Sequence, residues 1–274
     1  MANKSKKAPG LHIVVCIKPV PDPARWDKLE LDPDTLLLNR SEVPAVINAL
    51  DLNGLEQALA IKETSGARIS VLTMAPAAAE DELRQALAMG CDGAYLASDR
   101  AFAGADTLAT ARCLAAAIAK IGGADLVFCG GYSVDGSTAQ VGPQIAELLG
   151  IPDLTHVVSL ELAGHGLRAA CKVEEGTLLA ECDLPALVTF DREANRPRLP
   201  TMPGIRRARA IAVISWNAVD LGLDPDTVGL KGSPTQMLSV FTQSQGRKGE
   251  VLSGSAAEMA DTLLARLRAD KTLD

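Results

Sequence analysis

The segment DLVFCGGYSVDGSTAQVGPQIAELLGIPDL, from Asp125 to Leu154, decides the fold of this chain. It begins with an apolar run, Leu126-Val127-Phe128-Cys129, which is short enough for a buried parallel strand. Gly130-Gly131 ends the strand, and a loop of small polar residues runs from Ser133 to Gln140. A helix with an apolar face begins around Gly142-Pro143, because proline suits the first helical turn. The segment therefore predicts a strand, a loop and a helix in succession.

The loop between this strand and this helix is suited to an anion. Free backbone N–H groups and the positive end of the helix dipole both favour phosphate at such a position. The sequence has neither the G-x-x-x-x-G-K-[ST] motif of P-loop hydrolases nor a complete G-x-G-x-x-G. The residues alone favour phosphate or nucleotide binding, and an ordinary strand–loop–helix connection is the alternative.

The composition favours a parallel α/β protein and limits the choice of partners. Of the 274 residues, 47% are hydrophobic and only 3% are aromatic, so the core must consist of alanine, valine, leucine and isoleucine. The net charge of −7 argues against nucleic acid as a partner. No apolar run approaches the roughly 18 residues of a membrane helix, so we expect no membrane insertion.

The polar N-terminus predicts a disordered lead-in and a cytoplasmic protein. Residues 1–9 are basic and polar, and no apolar region of a secretory signal follows them. The six cysteines form no C-x-x-C pair, which is typical of buried thiols in a reducing compartment. The three histidines lack the spacing of metal ligands, so no metal site is predicted, and no hydrolytic triad stands out.

Strands and helices alternate before Leu154, which predicts a doubly wound, mostly parallel α/β sheet. A small hairpin is expected within residues 25–43. In such sheets ligands bind beyond the carboxyl ends of the strands, so the loops after Ile17, at 48–51, at 73–76 and at 130–140 should converge. The predicted strands are His12–Ile17, Arg68–Met74 and Ala94–Leu96, and the predicted helices are Asn48–Ser65, Ala78–Met89 and 107–121, the last with Asp106 as N-cap.

After Leu154 the pattern changes to an antiparallel meander. Four strand-like segments are separated by turn residues: Val157–Leu162, Leu167–Val173, Thr177–Cys182 and Ala186–Phe190. The segment Arg192–Arg209 is basic and proline-rich, and we expect it to be exposed. The predicted organisation is a nucleotide-binding α/β domain over 10–215, followed over 216–274 by an arm and a helix, Ser255–Arg268. The arm is expected to wrap another surface, either this domain or a second subunit.

Five motifs resemble the small (beta) subunit of an electron-transfer flavoprotein, and the similarity extends from about Leu11 to Leu267. They are VVCIKPVPD (14–22), INALDLNGLEQALAIKE (47–63), DGSTAQVGPQIAE (135–147), LPALVT (184–189) and VGLKGSPTQ (228–236). The chain departs from the family ahead of LPALVT, where Glu175-Gly176-Thr177-Leu178 replaces the usual acidic-glycine pair and glutamate. A universal stress protein is the alternative outside the family, but those domains are usually shorter and lack an arm.

The resemblance implies an adenine-nucleotide alpha-hydrolase-like, or Rossmann-like, fold and a heterodimer with an alpha subunit that carries FAD. In respiratory-type members the beta subunit holds AMP as a structural ligand. In electron-bifurcating members it holds a second FAD, which takes a hydride from NADH and splits the electron pair, with ferredoxin as a low-potential acceptor. The loop VDGSTAQVGP (134–143) is similar to the G-D-T-A-Q-V-G-P form of the bifurcating type, although Ser137 stands where an acid is usual.

The resemblance also implies roles for residues at three of the four loops. Cys16 and Ile17 would offer backbone atoms to an adenine, with plain strand packing as the alternative. Asn48 and Asp51 would hydrogen-bond ribose or ribityl hydroxyls, and Asn48 could also be a helix N-cap. The cofactor would be lined by Thr73, Met74 and Ala75.

The fourth loop would cradle the phosphates through backbone N–H groups. Ser137, Thr138 and Gln140 would add side-chain bonds, with a solvent-facing hydroxyl as the alternative for Thr138. No acid–base residue is assigned, because the flavin carries the redox chemistry. The contacts implied at this loop are Gly130, Val134, Asp135, Gly136, Ser137, Thr138, Ala139, Gln140 and Val141.

The basic, proline-rich segment matches the family's partner-recognition loop. Met202 falls where an apolar anchor inserts into a dehydrogenase, and an ordinary exposed methionine is the alternative. An acyl-CoA dehydrogenase, an enoyl-CoA reductase, a lactate dehydrogenase or a quinone reductase would each be compatible as the partner.

Overall fold

The computed structural model describes residues 10–28, 30–31, 38–39, 43–164, 166–236 and 249–273. The predicted lead-in at 1–9 lies outside these residues, as do His165 and the turn of the predicted hairpin. By contacts the chain divides into two compact units, Met1–Met237 and Leu238–Asp274. No helix in the described ranges is both long enough and apolar enough to span a bilayer.

Strands of the described residues are numbered β1 to β13 in chain order. They are β1 (His12–Cys16), β2 (Pro19–Pro21), β3 (Glu30–Leu31), β4 (Leu38–Asn39), β5 (Ala45–Ile47), β6 (Arg68–Met74), β7 (Gly93–Ala97), β8 (Leu126–Gly130), β9 (Asp153–Ala163), β10 (Gly166–Val173), β11 (Gly176–Asp183), β12 (Ala186–Phe190) and β13 (Val213–Trp216).

The α-helices are numbered in the same way. They are α1 (Ala49–Ser65), α2 (Glu80–Met89), α3 (Thr107–Ile121), α4 (Val141–Leu149), α5 (Met202–Ala210) and α6 (Ala256–Ala269). Short 3₁₀ turns occupy Pro23–Lys28, Ala77–Ala79, Arg100–Phe102, Arg192–Ala194 and Pro225–Thr227.

Nine strands form one sheet in the order β11-β10-β9-β12-β8-β1-β6-β7-β13. In this spatial order, all neighbouring strands from β9 to β13 are parallel. The two pairs at the other edge of this sheet, β9–β10 and β10–β11, are antiparallel. The predicted doubly wound, mostly parallel sheet is therefore confirmed. The predicted hairpin is present as the antiparallel pair β3–β4.

One prediction about the second half of the chain was wrong. Strand β12 is not the fourth strand of an antiparallel meander, because it lies between β8 and β9 and runs parallel to both. All five of its residues are buried, as expected for a central parallel strand with an unbroken apolar run. The segment Arg192–Arg209 is largely exposed, as predicted. It also contains most of α5, a helix that was not predicted, whose N-cap Thr201 accepts a hydrogen bond from the Gly204 N–H.

The helices cover both faces of the sheet. Leu55 and Leu59 of α1 share one buried cluster with Leu83 and Leu87 of α2. Side chains of α3 and α4 pack in a second cluster on the other face, with Ile118 and Ile145 fully buried. Strand β1 lies between β6 and β8, so the connections reverse direction there, and the crevice between the loops that follow β1 and β8 is the switch point of the sheet.

The first unit extends past the predicted boundary at residue 215. Strand β13 pairs with β7 at the edge of the sheet, and Ala218 and Val228 are buried. Ser233 accepts a hydrogen bond from the Asp106 N–H through its hydroxyl, at 2.8 Å. The stretch 218–236 therefore packs on the α/β domain itself.

The described part of the second unit contains the predicted C-terminal helix. Helix α6 begins after Ser255, which forms a capping box with Glu258, so the serine cap is confirmed. The α6 helix has no buried residue, and Leu263 and Leu264 are exposed. Arg266 and Glu250 form an ion pair within this unit.

Candidate functional site

The Asp51 carboxylate connects the loops that meet at the switch point. Its Oδ2 atom accepts the Lys18 N–H at 2.7 Å, and its Oδ1 atom accepts the Gly130 N–H at 3.0 Å. Lys18 follows β1 and Gly130 ends β8, while Asp51 itself lies in the first turn of α1. Burial raises the pKa of the Asp51 carboxyl to about 6, despite these hydrogen bonds, which lower it. The predicted convergence of these three loops is confirmed.

Asn48 adds a second set of hydrogen bonds between the same loops. It occupies the N-cap position of α1, but its side chain makes no capping bond. The amide instead donates to Asp51 Oδ1 at 3.0 Å and to the Tyr132 carbonyl at 2.9 Å, and its oxygen accepts the Val134 N–H at 3.2 Å. Asn48 is 0% exposed, and both amide hydrogens are used within the protein. A ribose contact by Asn48 or Asp51 stays a prediction, and the structure gives both residues a role in holding the loops.

Lys18 crosses the crevice between the two loops. Its ammonium group lies 2.6 Å from Asp135 Oδ1 and 3.1 Å from Ser133 Oγ. The Asp135 side chain is only 6% exposed, whereas that of Lys18 is 44% exposed. Lys18 was not among the predicted site residues, although its position directly after the first parallel strand of an α/β sheet was a signal for it.

The loop after β8 combines small exposed residues with an unusual backbone. Ser137 and Ala139 have positive φ angles of 51° and 55°, in the left-handed region that favours glycine. Gly136, Ser137 and Thr138 are exposed at the crest of the loop. The Ser137 N–H donates to the Ser133 carbonyl at 2.8 Å, which closes a turn. Residues in such strained conformations cluster at ligand sites.

The start of α4 is open to an anion. Its N-cap residue, Gln140, makes no side-chain capping bond, and its amide oxygen accepts the Thr107 hydroxyl instead, at 3.1 Å. Helix α3, by contrast, is capped by Asp106, which accepts the Ala109 N–H. The first turn of α4 contains no acidic residue, so the positive end of its dipole favours an anion there.

The remaining predicted contacts lie at the ends of β1 and β6. Cys16 and Ile17 are buried, and the Ile17 N–H donates to the Leu72 carbonyl at 2.9 Å. Thr73 is fully buried, and its hydroxyl has no hydrogen-bond partner within the part of the chain that the structure describes. Met74 and Ala75 are partly buried beside the two apolar clusters. The structure thus places them at the same edge of the sheet, but none of these residues bonds directly to the loop after β8 in the hydrogen bonds described.

These features fit a nucleotide phosphate. A Cβ atom on Gly136 would lie 3.3 Å from Ser133 Oγ and 3.8 Å from the Lys18 ammonium nitrogen. Glycine at this position therefore leaves space for a ligand beside both groups. The only acidic residue from Ser133 to Gln140 is Asp135, and Lys18 neutralises it. The loop therefore offers backbone N–H groups and hydroxyls without an unpaired carboxylate that would repel a phosphate.

Helix α1 also holds the segment that precedes α5. Asn53 and Asn195 exchange side-chain and backbone hydrogen bonds, two of them 2.9 Å long. Arg198 makes a bidentate contact with Glu56, at 2.8 to 3.1 Å, and a further ion pair with Glu63. Beyond this attachment Leu199 and Met202 are 84% and 78% exposed. The sequence predicted the exposed Met202 but not the Arg198 contact, which joins residues 142 positions apart.

The fold and these contacts define a doubly wound α/β domain whose loops are hydrogen-bonded together at the switch point. A model of the electron transfer flavoprotein domain matches residues 35–221. The chain belongs to the electron transfer flavoprotein family.

Its relatives include proteins of several complexes. The electron transfer flavoprotein subunit beta of Thermoanaerobacterium thermosaccharolyticum is 44% identical, over 94% of this chain and 98% of the relative. The caffeyl-CoA reductase-Etf complex subunit CarD of Acetobacterium woodii is 41% identical, over 94% of this chain and 98% of the relative. Protein FixA of Azorhizobium caulinodans is 43% identical, over 94% of each chain. Each of these matches covers 94% of the chain, whereas the domain model spans residues 35–221.

Proposed function

We propose that this chain is the beta subunit of an electron-transfer flavoprotein heterodimer and that it binds a nucleotide cofactor at the switch point. The observation that carries the proposal is the hydrogen-bonded set of Lys18, Asn48 and Asp51, which holds the small-residue loop that leads into the uncapped start of α4. In this arrangement the phosphates lie against the backbone of residues 136–141.

The proposed cofactor is FAD, with AMP as the alternative. A dinucleotide needs room for two phosphates, and the loop supplies small residues and one acid, which is paired with Lys18. A loop with several acidic residues would repel a second phosphate, so we expect such a loop at a site that holds AMP rather than FAD. Two relatives are named as subunits of a caffeyl-CoA reductase complex and of an acryloyl-CoA reductase, and these names also support a complex of the bifurcating type.

Bound FAD would supply hydride acceptance from NADH and the transfer of single electrons to two acceptors. The chain's own residues bind and orient it. Asp51 and Asn48 fix the two loops, the backbone of 136–141 binds the phosphates, and Thr73, Met74 and Ala75 form the wall at the end of β6. The buried Thr73 hydroxyl, which has no partner among the described residues, is a candidate hydrogen-bond donor to the cofactor.

The proposed partners are an alpha subunit with its own FAD, a dehydrogenase of the acyl-CoA type and ferredoxin as a low-potential acceptor. Leu199 and Met202 stand exposed beside the arginines of α5, as an apolar anchor for the dehydrogenase would. A cytoplasmic location is part of the proposal, supported by six cysteines that are all free thiols, as is typical of a reducing compartment. In the alternative, a respiratory-type subunit holds AMP and passes electrons between an acyl-CoA dehydrogenase and the quinone pool.

The deciding experiment measures the flavin and nucleotide content of the chain purified with its alpha subunit. Two FAD per heterodimer, without AMP and with reduction by NADH, is the expected result. One FAD and one AMP would overturn the FAD assignment and support the respiratory alternative. Gly136→Asp should lower beta-site FAD content, since it places a carboxylate beside the phosphates. Gly249→Asp, the same change at an exposed glycine of the second unit, is the control and should leave the content unchanged.

A further inference from the structure

We propose that Lys18 and Asp135 form a clamp that holds the loop after β8 in the shape that binds phosphate, and that Lys18 is a positioning residue rather than a direct phosphate ligand. The inference rests on the proposed nucleotide site and adds the residue pair that shapes it. The pair spans the switch-point crevice and joins residues 117 positions apart.

The clamp acts on both strands that border the crevice. Lys18 is fixed at the end of β1 because its backbone N–H donates to Asp51. Its side chain then reaches across to Ser133 and Asp135, which lie in the loop that follows β8. Lys18 therefore connects the loop, through its side chain, to the buried Asp51 carboxylate, which accepts its backbone N–H.

The loop needs such a constraint because its backbone is strained. The left-handed conformations of Ser137 and Ala139 persist only where the surroundings fix them. The Ser133 carbonyl accepts both the Ser137 N–H and the Ser137 hydroxyl, and the Ser133 hydroxyl contacts Lys18. A short path of hydrogen bonds thus runs from the Lys18 ammonium to the strained part of the loop.

Burial of Asp135 argues that Lys18 stays with the loop when a nucleotide binds. If Lys18 turned to a phosphate, the nearly buried Asp135 carboxylate would lose its ammonium partner, and a buried charge that loses a partner is strongly destabilising. The ligand phosphates would then also face that carboxylate. The pair therefore works as a unit in which loss of either partner releases the loop.

A double-mutant cycle on the heterodimer tests this inference. AMP and FAD are titrated calorimetrically into the complex, after removal of bound nucleotide, for wild type, Lys18→Met, Asp135→Asn and the double variant. We expect each single change to weaken binding by about tenfold or more, and the double variant to be no weaker than the weaker single variant. Lys18→Arg should recover most of the affinity, and Lys62→Met, which removes another lysine–aspartate ion pair of the same domain, should change nothing.

Two results would overturn the clamp. If Asp135→Asn leaves affinity unchanged or increases it while Lys18→Met weakens it, Lys18 binds phosphate directly. If neither change affects affinity or speeds hydrogen exchange of residues 133–140 in the nucleotide-free complex, the pair has no role in the loop. Absence of binding by the wild-type complex would instead contradict the proposed function. Asp135→Asn decides the question even if Lys18→Met fails to fold.

Discussion

Asp51 shows how one buried carboxylate can organise a site at a cost in stability. It accepts hydrogen bonds from two backbone N–H groups and from Asn48, and these contacts set the distance between the ends of β1 and β8. Gly130 has to be glycine for this approach, since a Cβ atom there would lie 2.8 Å from the Leu50 Cβ atom. Burial nevertheless disfavours the charged carboxylate, which is why its pKa is raised to about 6.

The raised pKa predicts a specific pH dependence of folding stability. The folded protein holds the Asp51 proton up to about pH 6, whereas the unfolded chain releases it near 3.8. The stabilisation is therefore complete below pH 3.8 and is lost as pH rises through 6, by about 3 kcal/mol at most. Urea unfolding of wild type and Asp51→Asn between pH 4.5 and 7.5 measures it. The wild-type advantage should shrink as pH rises, and parallel curves would contradict the assignment.

Helix α1 joins the proposed cofactor site to the exposed segment that carries Met202. Asn48 and Asp51 lie at its start, and Asn53 and Glu56 lie one to two turns further along. The latter two hold residues 195–198 through hydrogen bonds that include the bidentate Arg198–Glu56 contact. One helix thus fixes both the loops of the sheet edge and the start of the segment proposed to meet a dehydrogenase.

Two glutamates of α1 that bind the same arginine give a matched test of this attachment. Glu56→Gln should lower the free energy of unfolding by about 1–2 kcal/mol, because it weakens charge-assisted bonds at a half-buried position. Glu63→Gln should have a clearly smaller effect, because that ion pair is largely exposed and screened by solvent. Urea unfolding gives both values, and limited proteolysis between residues 195 and 201 should quicken only in the Glu56 variant. Equal effects would show that Glu56 has no special part in the attachment.

Local sequence patterns predicted individual elements well where the element follows from its own residues. The strand–loop–helix at 125–154 and the Asp106 and Ser255 caps are present because short-range preferences decide them. The orientation of β12 was mispredicted, because an apolar run of five residues does not reveal which strands it will separate. Helix α5 was missed, since prolines and arginines dominated the appearance of its segment, although Pro203 is compatible with a first helical turn.

At the scale of the molecule, the two units make different contributions. The first unit contains the sheet and its arm to Met237, while α6 in the second unit has no buried residue and exposes Leu263 and Leu264. An amphipathic helix with an exposed apolar face is typical of a segment that packs on a partner. We therefore propose that this helix belongs to the contact with the alpha subunit.

Removal of residues 238–274 tests whether the second unit serves partner binding rather than the stability of the first unit. The truncated chain should keep its melting temperature within about 2 °C of the full chain, because the excluded helix buries nothing of its own. Its affinity for the alpha subunit should fall markedly, as measured by pull-down and by calorimetric titration of purified subunits. A large loss of thermal stability in the isolated chain would show that the second unit supports the first.

The sequence was sufficient for the fold class and for the loops of the proposed site, but not for the contacts between them. Lys18 and Asp135, Asn48 and Tyr132, and Arg198 and Glu56 are all separated by more than eighty positions. Spacing rules describe neighbours along a helix or strand, whereas these pairs are brought together only by the order of strands in the sheet. Residue types could be proposed from the sequence, and their partners could not.

The position of β12 affects the order in which the newly synthesised chain can fold. Strands β8 and β9 are both synthesised before β12, yet β12 must enter between them. The Gly131 N–H, at the start of the proposed phosphate loop, donates to the Phe190 carbonyl at the end of β12. The loop therefore lacks this hydrogen bond until Phe190 has left the ribosome's exit tunnel. The nascent chain therefore completes the proposed cofactor site late, after most of the sheet has been translated.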